Sequence, residues 1–459
     1  MTEKKSGKIG LDDPRNIALE VLTLMDKEPA ASHKALKQAL DKYAYLEKTQ
    51  RAFISVLVRG VTEKRIELDY IINNFSNTKV NKQKPYIRNI LRMATYQIKY
   101  MDSVPDSAAC NEAVKLANLH HFMNLKGFVN GVLRTVAREY KNIAYPDRDK
   151  DFVSYLSLKY SFPEWLIRHY IAYLGQEKIE EVLDGFDEKR SIDIRTNTSK
   201  ISPKDLLARL EAEGLKACLI GEEAELVKRA DELGLKIPDY AIRILKVDRL
   251  DGLETFAEGL FEVQDLSSMM AGEGGLIKKD AKILDLCAAP GGKSINAALI
   301  ASQGHVTSCD LTFDKTDLIR ENVERLGLTN IDIMEADARE DNFEADSYDL
   351  VIADLPCSGL GICGRKPDIK YNIKEEDLKS LASLQRQILD RAVKYVKPGG
   401  YLIYSTCTLN WDENEANVAY ILDKQDVTYS KVEDELRILP SKGFQDGFFI
   451  ARLKREARC

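Results

Sequence analysis

The sequence predicts an α/β protein in three parts: an all-helical N-terminal bundle, a small α/β module, and a C-terminal, doubly wound, Rossmann-like sheet. Three observations carry this reading. Residues 13–141 show helical periodicity with short connections throughout, the pattern of a compact bundle. From Lys282 onward, apolar strand-like runs alternate strictly with helical ones, as in a parallel sheet with helices on both faces. Between these parts, SIDIRTNT (Ser191–Thr198) alternates as a strand does, and helical and strand-like runs mix. The expected boundaries are 1–145, 146–262 and 263–459.

The elements follow in order. Asp13-Pro14 is an N-cap followed by proline at the first helical position. Ile17, Leu19, Val21, Leu22 and Leu24 then mark an apolar helix, and further helices are expected near 34–44, 47–60, 63–75, 85–100, 107–119 and 125–140. The polar stretch IAYPDRDK (143–150) reads as a linker, with helices after it at 151–160 and 163–184. In the middle module, strands are expected at 191–198, 217–220, 243–247 and 260–263, with a helix from Ser202-Pro203 to about Glu213. In the last part, strands at 282–286, 305–310, 331–335, 348–353 and 399–405 alternate with helices at 293–302, 314–327, 376–396 and 412–422. The run GFFIARL (447–453) reads as a closing hairpin strand.

Composition removes several function classes. No apolar run reaches the roughly 20 residues that span a bilayer, and MTEKKSGKIG lacks a secretory h-region, so a cytoplasmic protein without a membrane partner is expected. Eight scattered cysteines without a CxxC pair are not a disulfide scaffold. None of the five histidines lies in the motifs described below, so neither a metal site nor a Ser-His-Asp triad is expected. Net charge is −6, but residues 1–150 hold 26 Lys and Arg against 17 Asp and Glu, leaving −15 on the remaining 309. A basic N-terminal third suits a polyanion partner, as it also suits a solvated helical surface. Lys79, Lys82, Lys84, Arg88 and Arg92, with Tyr86 among them, are the expected phosphate contacts there.

The chemistry lies in three strings of the C-terminal part. In KILDLCAAPGGKS, a strand ends at Leu286 and the turn Cys287–Ala288–Ala289–Pro290–Gly291–Gly292 leads into a helix near Lys293. Adjacent glycines let a ligand approach the backbone at a helix N-terminus. The pattern is not GxGxxG, which argues against a nicotinamide dinucleotide and for another nucleotide-like cofactor. Asp310 ends the next strand, where a doubly wound fold places a ribose-binding carboxylate, with a helix cap as the alternative. Asp337, in EADAR, suits an adenine amino group or a cap, and Asp285 is expected to order the loop backbone. Cys357, in ADLPCSG, and Cys407, in YSTCTL, follow the fourth and fifth strands, on the edge that holds the cofactor turn. A lone cysteine after a strand is usually a small core hydrophobe. Two at neighbouring strand ends, with Asp354 three residues before one, point to thiolate chemistry, with Lys293 and Lys366 as nearby cations.

DLCAAPGGKS, DLPCSGLG, KPDIK (Lys366–Lys370) and STCTL together resemble the RNA (cytosine-5) methyltransferases that use S-adenosylmethionine. VQDLSSMMA (Val263–Ala271) looks like the segment leading into their catalytic domain, and NEAVKLA with GFVNGVLR is similar to the NusB-type RNA-binding bundle. The resemblance covers about Asp13 to Lys454 and implies a 16S rRNA substrate. It implies Cys407 as nucleophile, Cys357 as the group that assists release, and cofactor contacts at Cys287–Lys293, Asp310, Asp337 and Asp354. Asp354 is shared between cofactor and base. Arg365 and Lys366 would meet RNA phosphate, although the family has two basic residues before KPDIK where Gly364-Arg365 offers one. Cys363 is expected to be structural and Cys459 an exposed thiol. Cysteine suits the task because carbon 5 of cytosine is a weak nucleophile until a thiolate adds at carbon 6. A hydrogen-bond donor or acid at ring nitrogen 3 eases that addition, a task for Asp354. A monomer is the expected state. The same chemistry on tRNA, a non-catalytic RNA-binding or antitermination factor with this shell, and an NAD-dependent dehydrogenase are the competing readings.

Overall fold

The computed structural model describes residues 10–28, 32–188, 191–247, 249–272, 275–441, 443–444 and 446–457. Cys459 lies outside them. Two compact units emerge: Met1–Gln176 with Lys366–Ile373, and Glu177–Arg365 with Lys374–Cys459.

The first unit is helical. Pro14–Lys27 starts where expected, Asp13 accepting the Arg15 N–H at 2.8 Å. Helices Ser32–Lys42, Lys48–Glu63, Arg65–Phe75, Pro85–Tyr100, Asp106–Leu119 and Lys126–Glu139 follow around a core that includes Ile17, Leu57, Leu68, Leu91 and Leu133. Phe152–Tyr160 and Glu164–Leu174 belong to this unit too, and the Ser161 hydroxyl accepts the Glu67 N–H at 3.1 Å. The single helix expected over 163–184 is two, Glu164–Leu174 and Ile179–Asp187, separated at Gly175, whose φ of 89° no helix sustains. The short helix Ile369–Asn372 completes the unit. The Lys370 ammonium donates to the Glu63 carbonyl at 3.0 Å and lies 4.2 Å from the Phe162 ring centre, so the last lysine of KPDIK is buried.

The basic cluster of this unit is smaller than its sequence. Arg88 and Arg92 are one helical turn apart, on a face that meets carboxylates. Arg88 pairs with Asp26 at 2.6 Å, and buried Arg92 grips Asp69 through two bonds of 2.6 and 2.7 Å. Lys79, Lys82 and Lys84 remain exposed.

The second unit holds two sheets. The first is antiparallel, from β1 (Ile192–Thr196), β2 (Lys216–Leu219), β3 (Ala241–Lys246) and β4 (Phe261–Val263), in the order β2-β3-β1-β4. The helix Pro203–Ala212 is capped by Ser202 as expected, and a further helix, Ala224–Glu232, lies where the sequence analysis places none. The second sheet has eight strands: β5 (Lys282–Asp285), β6 (His305–Asp310), β7 (Ile331–Glu335), β8 (Tyr348–Asp354), β9 (Val396–Thr406), β10 (Tyr429–Lys431), β11 (Leu436–Ile438) and β12 (Phe448–Arg455). Their order is β10-β12-β9-β8-β5-β6-β7, with β11 also against β12. The pairs from β7 through β9 are parallel, and β12 is antiparallel to β9, so the sheet is mixed rather than wholly parallel. The chain proceeds outward from β5 through β6 to β7, then returns to β8 and β9. That reversal between β5 and β8 is the switch point outside which an open α/β sheet binds ligands. No helix among the described residues is long and apolar enough to cross a membrane.

Candidate active site

β8 and β9 are paired in register, Asp354 opposite Ser405, so the loops that leave them emerge side by side. The first carries Cys357 and the second Cys407. Their sulfurs lie 3.4 Å apart, both as free thiols. Burial and the contact with Cys407 act together on Cys357. The hydrogen bond to Cys407, then loss of solvent, then nearby negative charge push its thiol well above the usual range. Gly361 closes the floor, donating its N–H to the Cys407 carbonyl at 3.0 Å and accepting the Gly447 N–H at 2.7 Å. A Cβ there would stand 2.3 Å from the Gly447 oxygen and 2.8 Å from that of Cys407, so only glycine fits.

Asp354 ends β8, and both its oxygens are held. Oδ2 meets the Lys293 ammonium at 2.7 Å, and Oδ1 accepts the Ser405 hydroxyl at 2.8 Å. Lys293 also donates to Ser268 at 2.9 Å and sits 5.0 Å from the Phe448 ring centre. Ser268, Ser405 and Phe448 are contacts that the motifs alone did not reveal. Ser268 lies in the expected lead-in segment, but nothing in that string marks it as a lysine partner.

The cofactor turn is built as anticipated and held from beneath. Gly291 has φ 107°, in the region that favours glycine, and begins the helix Gly292–Ile300. The Ala288 N–H reaches the Cys309 carbonyl at 2.9 Å, and Asp310 accepts the Ala289 N–H at 3.0 Å. Asp310, buried at the end of β6, also accepts the Leu311 N–H at 2.7 Å and the Lys315 ammonium at 2.9 Å. Cys287 is within the turn, its thiol pushed up by burial and by Asp310.

Asp285 departs from expectation. It does not order the loop backbone. Oδ2 accepts the Ser294 hydroxyl at 2.6 Å, and Oδ1, buried, has no hydrogen-bond partner. Burial raises its carboxyl to about 7. The turn, with backbone free of side chains at Gly291 and Gly292 where a helix starts, fits a nucleotide-like ligand such as S-adenosylmethionine. Asp337 is turned to Arg339, which holds its carboxyl down at about 2 through its guanidinium and its N–H.

Arg365 is engaged by two carboxylates, Asp265 at 2.7 Å and Asp446 at 2.9 Å. Lys366 opens the segment Lys366–Ile373 of the other unit and is half-buried there. Cys363 is buried, as expected of a structural residue.

Three family models match in sequence order. The NusB family model covers 12–138, a ferredoxin-like domain of RsmF/B-type methyltransferases covers 162–227, and "16S rRNA methyltransferase RsmB/F" covers 276–454. The chain is 35% identical over 460 residues to the "Probable ribosomal RNA small subunit methyltransferase B" of Bacillus subtilis (strain 168), covering 96% of this chain and 98% of that protein. The chain belongs to the 16S rRNA methyltransferase RsmB/F family. The "Ribosomal RNA small subunit methyltransferase B" of Klebsiella pneumoniae (strain 342) is 28% identical over 412 residues, covering 88% of this chain and 90% of that one. The solved structure titled "Crystal Structure of PH0851" shares the fold, with a TM-score of 0.78 at 23% identity over 98% of this chain and 100% of that one. As a member of RsmB/F, the protein is an S-adenosylmethionine-dependent enzyme that makes 5-methylcytosine in 16S rRNA. The fold, the cofactor and the reaction expected from the motifs all stand.

Proposed function

We propose that Cys407 is the sulfur that bonds to carbon 6 of the target cytosine, and that Cys357 assists its release. One observation carries the division of labour. The two free thiols lie 3.4 Å apart, and Cys407 stands in the TC string, whose cysteine is the nucleophile in the family to which the chain belongs. Asp354 meets ring nitrogen 3, its two oxygens oriented by Lys293 and Ser405. The base enters unstacked, since a ring carbon cannot be reached inside a helix.

S-adenosylmethionine supplies an electrophilic methyl group. The turn Cys287–Lys293, with Asp310, Asp337 and Asp354, is our assignment for its binding residues. Arg365, held by carboxylates, orders the lead-in segment, and contact with RNA phosphate falls to Lys366. We take the working form to be a monomer acting on rRNA in the cytoplasm.

The test uses purified variants and 16S transcript. Cys407→Ser is expected to lose methyl transfer by at least a thousandfold, on the scale of removing an attacking side chain. Cys357→Ala is expected to form a protein–RNA species that survives a denaturing gel. Normal methylation by Cys407→Ser refutes the assignment, and absence of any adduct with Cys357→Ala refutes the release role.

A further inference from the structure

Below the two thiols lies a carboxylate that the chemistry above does not use. Glu413 is fully buried in the short turn Trp411–Glu413. It accepts the Ser358 N–H at 2.8 Å, the Ser358 hydroxyl at 2.6 Å, Gln385 Nε2 at 3.0 Å and Asn410 Nδ2 at 2.9 Å. A carboxylate has about four acceptor positions, so each is met. All four donors are neutral groups.

The partners surround both cysteines. Ser358 follows Cys357, and its hydroxyl also bonds the Thr408 hydroxyl at 2.6 Å, the residue after Cys407. Gln385 Nε2 reaches back to the Pro356 carbonyl at 2.9 Å, before Cys357. The neighbouring Asn414 brackets the other loop, accepting the Thr406 hydroxyl at 2.6 Å and donating to the Thr408 carbonyl at 3.1 Å. Glu413, Gln385 and Asn414 together therefore tie the residues before and after each sulfur. A cluster this buried is costly if half satisfied and stiff if complete.

We propose that Glu413 is a positioning residue that holds the Cys357 thiol against that of Cys407 by fixing Ser358 and Thr408. It touches neither sulfur. Its charge also adds to the groups that keep Cys357 protonated, after the bond to Cys407 and burial. The catalytic half of its test rests on the release role of Cys357, and the geometric half does not.

The geometric half is cross-linking of the full-length protein without RNA. Diamide joins the two thiols as a disulfide, the diazene taking up their two protons and two electrons, and peptide mapping follows the Cys357–Cys407 link. Glu413→Gln sets an amide N–H against amide donors. We expect its cross-linking to slow at least tenfold, in line with the cost of misplacing a reactive group by about 1 Å. In the denaturing-gel assay it should also accumulate an RNA adduct, as Cys357→Ala does, which simple loss of stability would not produce. Slowed cross-linking while Cys357→Ala forms no adduct retains Glu413 and removes the release role. Cross-linking of Glu413→Gln at the wild-type rate overturns the proposal. If that variant does not fold, Glu413→Asp keeps the charge but withdraws the carboxylate from Ser358, and a wild-type rate in it overturns the proposal equally.

Discussion

Asp285→Asn should flatten the dependence of stability on pH. The Asp285 carboxyl is fully buried, and burial raises it to about 7 from an ordinary 3.8. A folded-state value above the unfolded one means the protein binds the extra proton when folded. The resulting stability is fully present below about pH 4 and is lost as pH rises through about 7. The full interval corresponds to about 4 kcal/mol, of which about 2.5 kcal/mol falls between pH 5 and pH 8. Asparagine cannot ionise but leaves an amide N–H where Oδ1 had no partner, a penalty of about 1–3 kcal/mol that is constant with pH. Urea titrations of both proteins at pH 5 and pH 8 isolate the ionisation, because the constant penalty cancels in the difference. Wild type should lose about 2.5 kcal/mol more than the variant over that interval. Parallel curves for the two proteins refute the assignment of a neutral, buried carboxyl.

Two further outcomes follow from the same geometry. Asp310→Ala should weaken binding of S-adenosylhomocysteine, read by calorimetry, by about 10- to 100-fold, the loss of one or two hydrogen bonds to a charged group; unchanged affinity would count against the ribose role. Gly361→Ala should destabilise the protein by about 1–3 kcal/mol through overpacking against two backbone oxygens, and thermal denaturation at the wild-type temperature would contradict that.

What was legible in the sequence was local. The turn around Gly291, the two cysteines after neighbouring strands and Asp310 at the end of β6 are each fixed by a short string, and parallel strands bring strand ends to one edge. What escaped was pairing over long separation. Ser268 with Lys293, and Gln385 and Ser358 with Glu413, join residues tens of positions apart, and no periodicity records such bonds. Arg88 and Arg92 misled for the same reason, because a basic run shows charge but not the carboxylates of Asp26 and Asp69 that meet it. β10 and β11, three residues each, are too short to show alternation and form only because β12 gives them a partner. Gly175 lies inside the helix expected over 163–184, and the cost of glycine in a helix interior marks the break there.

One sulfur carries the account, and mapping the covalent bond tests it most directly. RNA trapped on the Cys357→Ala protein would be digested and the modified peptide sequenced by mass spectrometry. The cross-linked nucleotide belongs on the peptide that contains Cys407. A nucleotide on any other residue, or methylation proceeding with no bonded species at all, would contradict the mechanism.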